Sequence, residues 1–481
     1  MPNLNPNRNN PPAAEPGTPR PVLRLREAIA LIVGVVIGAG IFKAPALVAA
    51  MTGEAAWMFG AWILGGLMSL VGALCYAELA TAYAHAGGDY HFLHRAYGRS
   101  VAFLFGWARL SVITTGSIAI LAFVFGDYMN QALPLDMGGP VSGATVYAIL
   151  VIMGLSWANL RHIRTGILTQ TWFTVLEVGG LLMVVTAAIL LPGKPAIALP
   201  ASAASLAVAP TASSFGLAMV FVLLTYGGWN EAAYISAEMK GGRHSIVKAL
   251  TLSILIITVL YMLVTWAFWS GLGLHGMAAS GALAADLMRT TFGPAGEKII
   301  SVMVAISALT SINATMIVGA RTSYAMGCDW PVLGRLGVWN AERDTPVNAM
   351  RVQCIAALAL VILGAWIGGG FKAMVEFTAP VFWLFFLLCG ISLFVLRIRE
   401  PETLRPYKVP LYPLLPVLFC ATCGYMLWSS LSYVYDQSLG GINAAWIGVA
   451  VLACGAILLF LMNRSRVAQS TVTTELSEEH S

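Results

Sequence analysis

The chain has 481 residues, 58% hydrophobic and only 10% charged, with a formal net charge of +5. Soluble domains carry about a quarter charged residues, whereas here the apolar residues run in unbroken blocks of roughly 20, enough to cross ~30 Å of hydrocarbon. That excludes an ordinary soluble domain. The basic excess lies in loops suited to anionic lipid, and no motif points to nucleic acid.

Residues 1–25 are rich in Pro and Asn and lack an apolar run followed by small residues, so a disordered tail without a cleavable signal is expected. Twelve apolar blocks follow, near 27–50, 56–83, 100–131, 143–160, 163–191, 214–237, 246–272, 297–326, 349–367, 373–397, 411–431 and 443–463. Residues 466–481 read as a second disordered tail. Twelve spans put both termini on one side, and the distribution of Lys and Arg chooses it. One side carries Arg20, Arg24, Arg95, Arg99, Arg161, Arg243, Arg321, Arg397, Arg405 and most of the other basic residues. The opposite side holds only Lys194, Arg289, Lys298 and Lys372. Both termini are therefore expected in the cytoplasm, with the chain in the cytoplasmic membrane.

The first block contains "GVVIGAGIFKAP", with Gly34, Gly38 and Gly40 close together and Pro45 after them. Glycine costs a helix interior about 1 kcal/mol relative to alanine. Gly38 lies 11 residues beyond Glu27, roughly 16 Å along a helix axis and near the bilayer centre. The sixth block repeats the feature at similar depth in "LTYGGWNE", at Gly227 and Gly228. Paired interruptions five helices apart predict an inverted repeat of residues 26–191 and 214–398, with 411–463 forming two further helices. Such breaks are the usual substrate site of transporters built this way.

The chemistry follows from the backbone. Unpaired N–H and C=O groups cost several kcal/mol each in lipid, so a break persists where it lines a cavity and finds a partner. A zwitterion is such a partner. N–H groups at a positive helix end hold its carboxylate and freed carbonyls hold its ammonium. Close helix packing is the competing explanation of such glycines, and two clusters at matched depth favour the site.

Several charges lie at depth. Glu78 and Glu238 sit at cytoplasmic helix ends, suiting ion-paired structural roles, and Asp127 and Glu376 near outer ends suit gate or structural roles. Glu177 falls at mid-membrane in the fifth block, where an unpaired charge costs about 3 kcal/mol. It is expected to take up a proton, or to help hold a cation with Thr310 or Ser311. Glu231, one turn beyond Gly227, either faces the cavity and favours a cationic substrate or pairs with Asn230 or Lys43. Lys43 and Arg109 are expected to snorkel or pair. The seven cysteines, including the Cys420/Cys423 pair, lie mostly in apolar runs and read as packing residues.

The stretches "VIGAGIF", "GALCYAELATAYAHAGGDY", "TYGGWNEAAYISAEM" and "RPYKVPLYP" resemble the amino acid–polyamine–organocation superfamily, close to its L-type amino acid transporter branch. The resemblance covers residues 25 to about 465. It implies an all-α membrane protein of twelve helices, a five-plus-five inverted repeat with helices 1 and 6 broken, and alternating access to one central site. Carried onto this chain, the substrate segment is Val36, Ile37, Gly38, Ala39 and Gly40 with Leu224, Thr225 and Gly227. The carboxylate falls on the N–H groups of Ala39 and Gly40. The ammonium falls on carbonyls around Val36, Leu224 and Gly227. The family often has an aromatic gate where this chain has Leu224, and a lysine where it has Glu177. No cofactor, metal cluster or catalytic motif is expected, and no enzyme activity. The expected function is secondary active transport of amino acids by proton coupling or exchange. A polyamine or cationic amino acid carrier is the alternative. A channel would need a continuous polar lining rather than polar groups gathered at one depth.

Overall fold

The computed structural model describes residues 24–83, 88–135, 142–161, 167–190, 209–232, 243–340, 345–436 and 444–478. It is helical throughout, apart from one isolated β-bridge between Asn340 and Thr345. Nine of the described helices are long and apolar enough to cross a membrane.

The first apolar block is split into α1 (Leu25–Val36), a 3₁₀ turn (Ala39–Phe42) and α2 (Ala44–Thr52), with Pro45 in the first turn of α2. Proline suits that position because its missing N–H is unneeded there. Next come α3 (Ala55–Ala82), α4 (Asp89–Tyr97), α5 (Arg99–Ala108) and α6 (Thr114–Ala132). Arg109–Ile113 joins α5 to α6 as a π-helical segment within one continuous span. After α7 (Gly143–Leu160) and α8 (Ile167–Leu190), the sixth block is again split, into α9 (Ala212–Thr225) and α10 (Trp229–Ala232). The remaining helices are α11 (Arg243–Ala279), α12 (Leu283–Asp329), α13 (Val347–Ile367), α14 (Gly370–Arg399), α15 (Leu414–Asp436) and α16 (Ala444–Glu478).

Two departures from expectation have local causes. The eighth span begins earlier than 297, since α12 starts at Leu283 and bends at Gly293, φ 68°. At the other end, α16 stays helical past 466, the start of the expected tail; residues 464–478 contain no Gly or Pro to end a helix.

Glycine lets the helices around the split segments approach closely. A Cβ on Gly65 of α3 would collide with Val222 of α9, and one on Gly66 with Thr258 of α11. α12 meanwhile packs along α6 and α8. The split segments thus lie between α3 and α11 on one side and α6, α8 and α12 on the other.

The "RPYKVPLYP" motif forms a strap across the end of α3. Glu78, 2% exposed, accepts two hydrogen bonds from the Arg397 guanidinium, at 2.7 and 2.5 Å, and one from the Val409 N–H at 2.6 Å. Arg405 lies 3.7 Å away and donates to the Leu396 and Glu400 carbonyls. A buried carboxylate is tolerable only when paired and hydrogen-bonded in this way. Beside it, Arg95 donates two hydrogen bonds to Glu400 and holds that carboxyl below its ordinary range.

Candidate functional site

The first interruption exposes the start of a helix-like turn. In a 3₁₀ segment beginning at Ala39, the N–H groups of the first residues have no partner inside the segment. Gly38 precedes it in an extended conformation, φ −132°. An added Cβ on Gly38 would come no nearer than 3.9 Å to the Ser311 Oγ, and one on Gly40 would meet Thr225 at 3.6 Å. Both are ordinary van der Waals distances. Close helix packing, which explains Gly65 and Gly66, does not explain Gly38 and Gly40.

The second interruption is built differently. The Gly227 N–H donates to the Leu224 carbonyl at 3.1 Å, and a Cβ on Gly227 would sit 2.9 Å from that same oxygen. Gly228 follows at φ 108°, in the left-handed region that side chains disfavour. Trp229 then starts α10 among aromatic rings, 5.2 Å from Tyr76 and 5.9 Å from Phe386 between centroids.

One side chain joins the two. The Tyr261 hydroxyl, on α11, lies 3.1 Å from the Val36 carbonyl and 3.1 Å from the Thr225 carbonyl, the last residues of α1 and α9. One hydroxyl hydrogen serves two acceptors, so the oxygens keep capacity for a further donor. Tyr261 is buried against Trp62 and Tyr226, with centroids 5.7 and 5.1 Å away. The Leu224 carbonyl accepts a bond from Gly227 and keeps a second lone pair, and the second-break oxygen that shares the Tyr261 hydroxyl with Val36 belongs to Thr225. The Thr225 hydroxyl itself donates to Phe221 in its own helix, at 2.7 Å. Ile37 keeps a helical bond, its N–H donating to Val33 at 2.8 Å. Tyr261 had one signal in the sequence, a phenol inside an otherwise apolar span, where such a group normally finds a partner.

Glu177 of α8 is 6% exposed and accepts a 2.6 Å hydrogen bond from the Ser307 hydroxyl of α12. The sequence had pointed to Thr310 or Ser311. Thr310 spends its hydroxyl on the Ser307 carbonyl of its own helix, at 2.8 Å, and Ser311, one turn beyond Ser307, lies beside Gly38. A Cβ on Gly180, one turn along α8 from Glu177, would lie 3.8 Å from the Phe42 ring of the first break. α8, α12 and the first interruption therefore meet at one place.

The other charges also find positions. Lys43 pairs with Asp127 at 2.5 Å. The side chain of Glu231 and all of Glu238 lie outside the described residues. Glu376 sits 3.8 Å from Lys372, one turn away on α14.

Comparison with known proteins agrees with this architecture. Residues 23–452 match the family described as amino acid permease, and the chain belongs to that family. It is 25% identical to the Asc-type amino acid transporter 1 of Mus musculus, over 91% of this chain and 80% of the relative. It is 27% identical to the large neutral amino acids transporter small subunit 2 of Homo sapiens, over 91% and 79%. It is 29% identical to the b(0,+)-type amino acid transporter 1 of Mus musculus, over 82% and 80%. The protein is accordingly a multi-span membrane transporter of amino acids, not an enzyme.

Proposed function

We propose that this permease binds the α-amino and α-carboxylate groups of one amino acid between the two helix interruptions and carries it by alternating access. The observation that carries the reading is the Tyr261 hydroxyl, 3.1 Å from both the Val36 and the Thr225 carbonyl, which ties the two breaks to one point. The N–H groups of Ala39 and Gly40 receive the carboxylate, and the Val36 and Thr225 carbonyls receive the ammonium. Gly38 and Gly40 keep the space for these groups open. Supporting the wider frame are the two split helices, the apolar spans and the basic residues gathered on one side. In that frame the protein has twelve transmembrane helices in a five-plus-five inverted repeat, with both termini cytoplasmic and the chain in the cytoplasmic membrane. The name of one relative, the large neutral amino acids transporter small subunit 2, points to a neutral amino acid, and the backbone site accepts any free zwitterion.

In this reading Glu177 is the coupling group. It lies buried between α8 and α12 with Ser307 as its hydrogen-bond donor. A carboxylate there costs several kcal/mol unless paired, so shifts of α12 against α8 that remove or restore the Ser307 bond change its proton affinity. Glu177→Gln keeps the shape of the protonated form and cannot release a proton. The variant binds and exchanges amino acid in proteoliposomes but loses accumulation driven by a pH gradient. Unchanged gradient-driven accumulation by Glu177→Gln ends the coupling assignment, and the backbone site stands independently of it.

A further inference from the structure

Two successive residues leave the first interruption, and two successive residues of α6 hold them. The Lys43 ammonium donates to the Asp127 carboxylate at 2.5 Å and to the Gly281 carbonyl at 2.5 Å. The Tyr128 hydroxyl donates to the Phe42 carbonyl at 2.9 Å and accepts from the Ala284 N–H at 3.3 Å. The Phe42 and Tyr128 rings meet edge to face, with centroids 6.4 Å apart. Each α6 residue thus binds the exit of the break, and each bonded group also reaches the segment 281–284 that opens α12. Three elements distant in sequence, the start of α2, the end of α6 and the start of α12, close on one junction.

The two halves of this junction differ physically. Tyr128 is fully buried, so its bonds separate only when packing opens. Lys43 and Asp127 retain 15% and 28% of their side-chain exposure, so water reaches them and solvates both charges once they part. Partly solvated pairs exchange partners at small net cost, which suits a contact made and broken in every cycle. Asp127 and Tyr128 lie near the end of α6, and Phe42 and Lys43 lead from the first break into α2, so the junction falls toward the outer side in the orientation above.

We infer that Lys43–Asp127, together with Tyr128, forms an outer latch that holds α2 and the start of α12 against α6 while the outside is closed, and separates each time the outside opens. The inference rests on the alternating-access reading. Without the latch the outward-open state gains population, and apparent affinity follows the fraction of competent protein.

The test tethers the latch. Lys43→Cys and Asp127→Cys are combined in a background with the seven native cysteines replaced, reconstituted, and treated with a short bifunctional thiosulfonate linker. The expected result is at least a roughly 10-fold fall in uptake, recovered by reductant and absent from either single-cysteine variant. Retention of more than about half of the uptake by the linked double variant overturns the latch. Asp127→Asn gives a second readout should the double variant lack activity before linking. It shifts the ratio of outside to inside KM by about 5-fold or more, and a ratio unchanged within about 2-fold overturns the latch. Failure of alternating access reads differently, as uptake by the unmodified protein that neither saturates nor shows counterflow.

Discussion

Between Val36 and Ala44 the chain unwinds with Gly38 extended at φ −132°, whereas between Thr225 and Trp229 it turns through Gly228 at φ 108°. A Cβ would fit at Gly38 and Gly40, yet one at Gly227 would press on the Leu224 oxygen. Glycine in the first break therefore keeps space beside a row of N–H groups, and glycine in the second lets the backbone turn. The same residue type does two different jobs in the two breaks.

Substitutions separate these roles. The largest effect is expected from Gly40→Leu. Its Cβ is tolerated, but the rest of the side chain enters the space beside Thr225 and the proposed carboxylate site. Uptake falls to background while insertion and expression persist. Gly60→Leu, where an added Cβ meets nothing within 4 Å, keeps normal uptake and serves as the control. Normal uptake by Gly40→Leu removes the site from the first break.

Gly228→Ala comes next. It forces a side chain into the left-handed region at a cost of about 1–2 kcal/mol and lowers the thermal midpoint of the purified protein. Gly38→Ala leaves the midpoint unchanged or slightly higher, because its φ suits any residue and alanine restricts the unfolded chain. Equal destabilisation by both variants erases the distinction between the breaks.

Tyr261→Phe removes the hydroxyl between them while keeping the ring against Trp62 and Tyr226. Losing one hydrogen bond costs about 1 kcal/mol, so KM rises roughly 5-fold with the fold intact. Ser307→Ala has the smallest effect. It leaves binding near normal and moves only the pH dependence of uptake, since Glu177 loses its hydrogen bond from the Ser307 hydroxyl.

Much of this was legible from residue spacing. Glycines at equal depth in the first and sixth blocks marked both interruptions, and the mid-membrane position of Glu177 marked it as a residue needing a partner. Depth along a helix follows from counting at ~1.5 Å per residue, but rotation does not. Ser307, Thr310 and Ser311 all lie near Glu177 in depth, and only the packing of α12 on α8 selects Ser307. Long-range pairing was equally hidden, since Asp127 lies 84 residues beyond Lys43. The Tyr261 hydroxyl shared by the Val36 and Thr225 carbonyls was hidden for the same reason, since Tyr261 lies 225 residues beyond Val36.

The central claim is that backbone groups at the two breaks hold both charged ends of an amino acid. Thermal stabilisation of the purified protein tests it with four probes: a free neutral amino acid, its methyl ester, its N-acetyl derivative and putrescine. A ligand at 100 times its Kd stabilises by about 2.7 kcal/mol. The account predicts a clear upward shift with the free amino acid and little or none with the other three. A methyl ester or putrescine that stabilises as strongly as the free amino acid contradicts it.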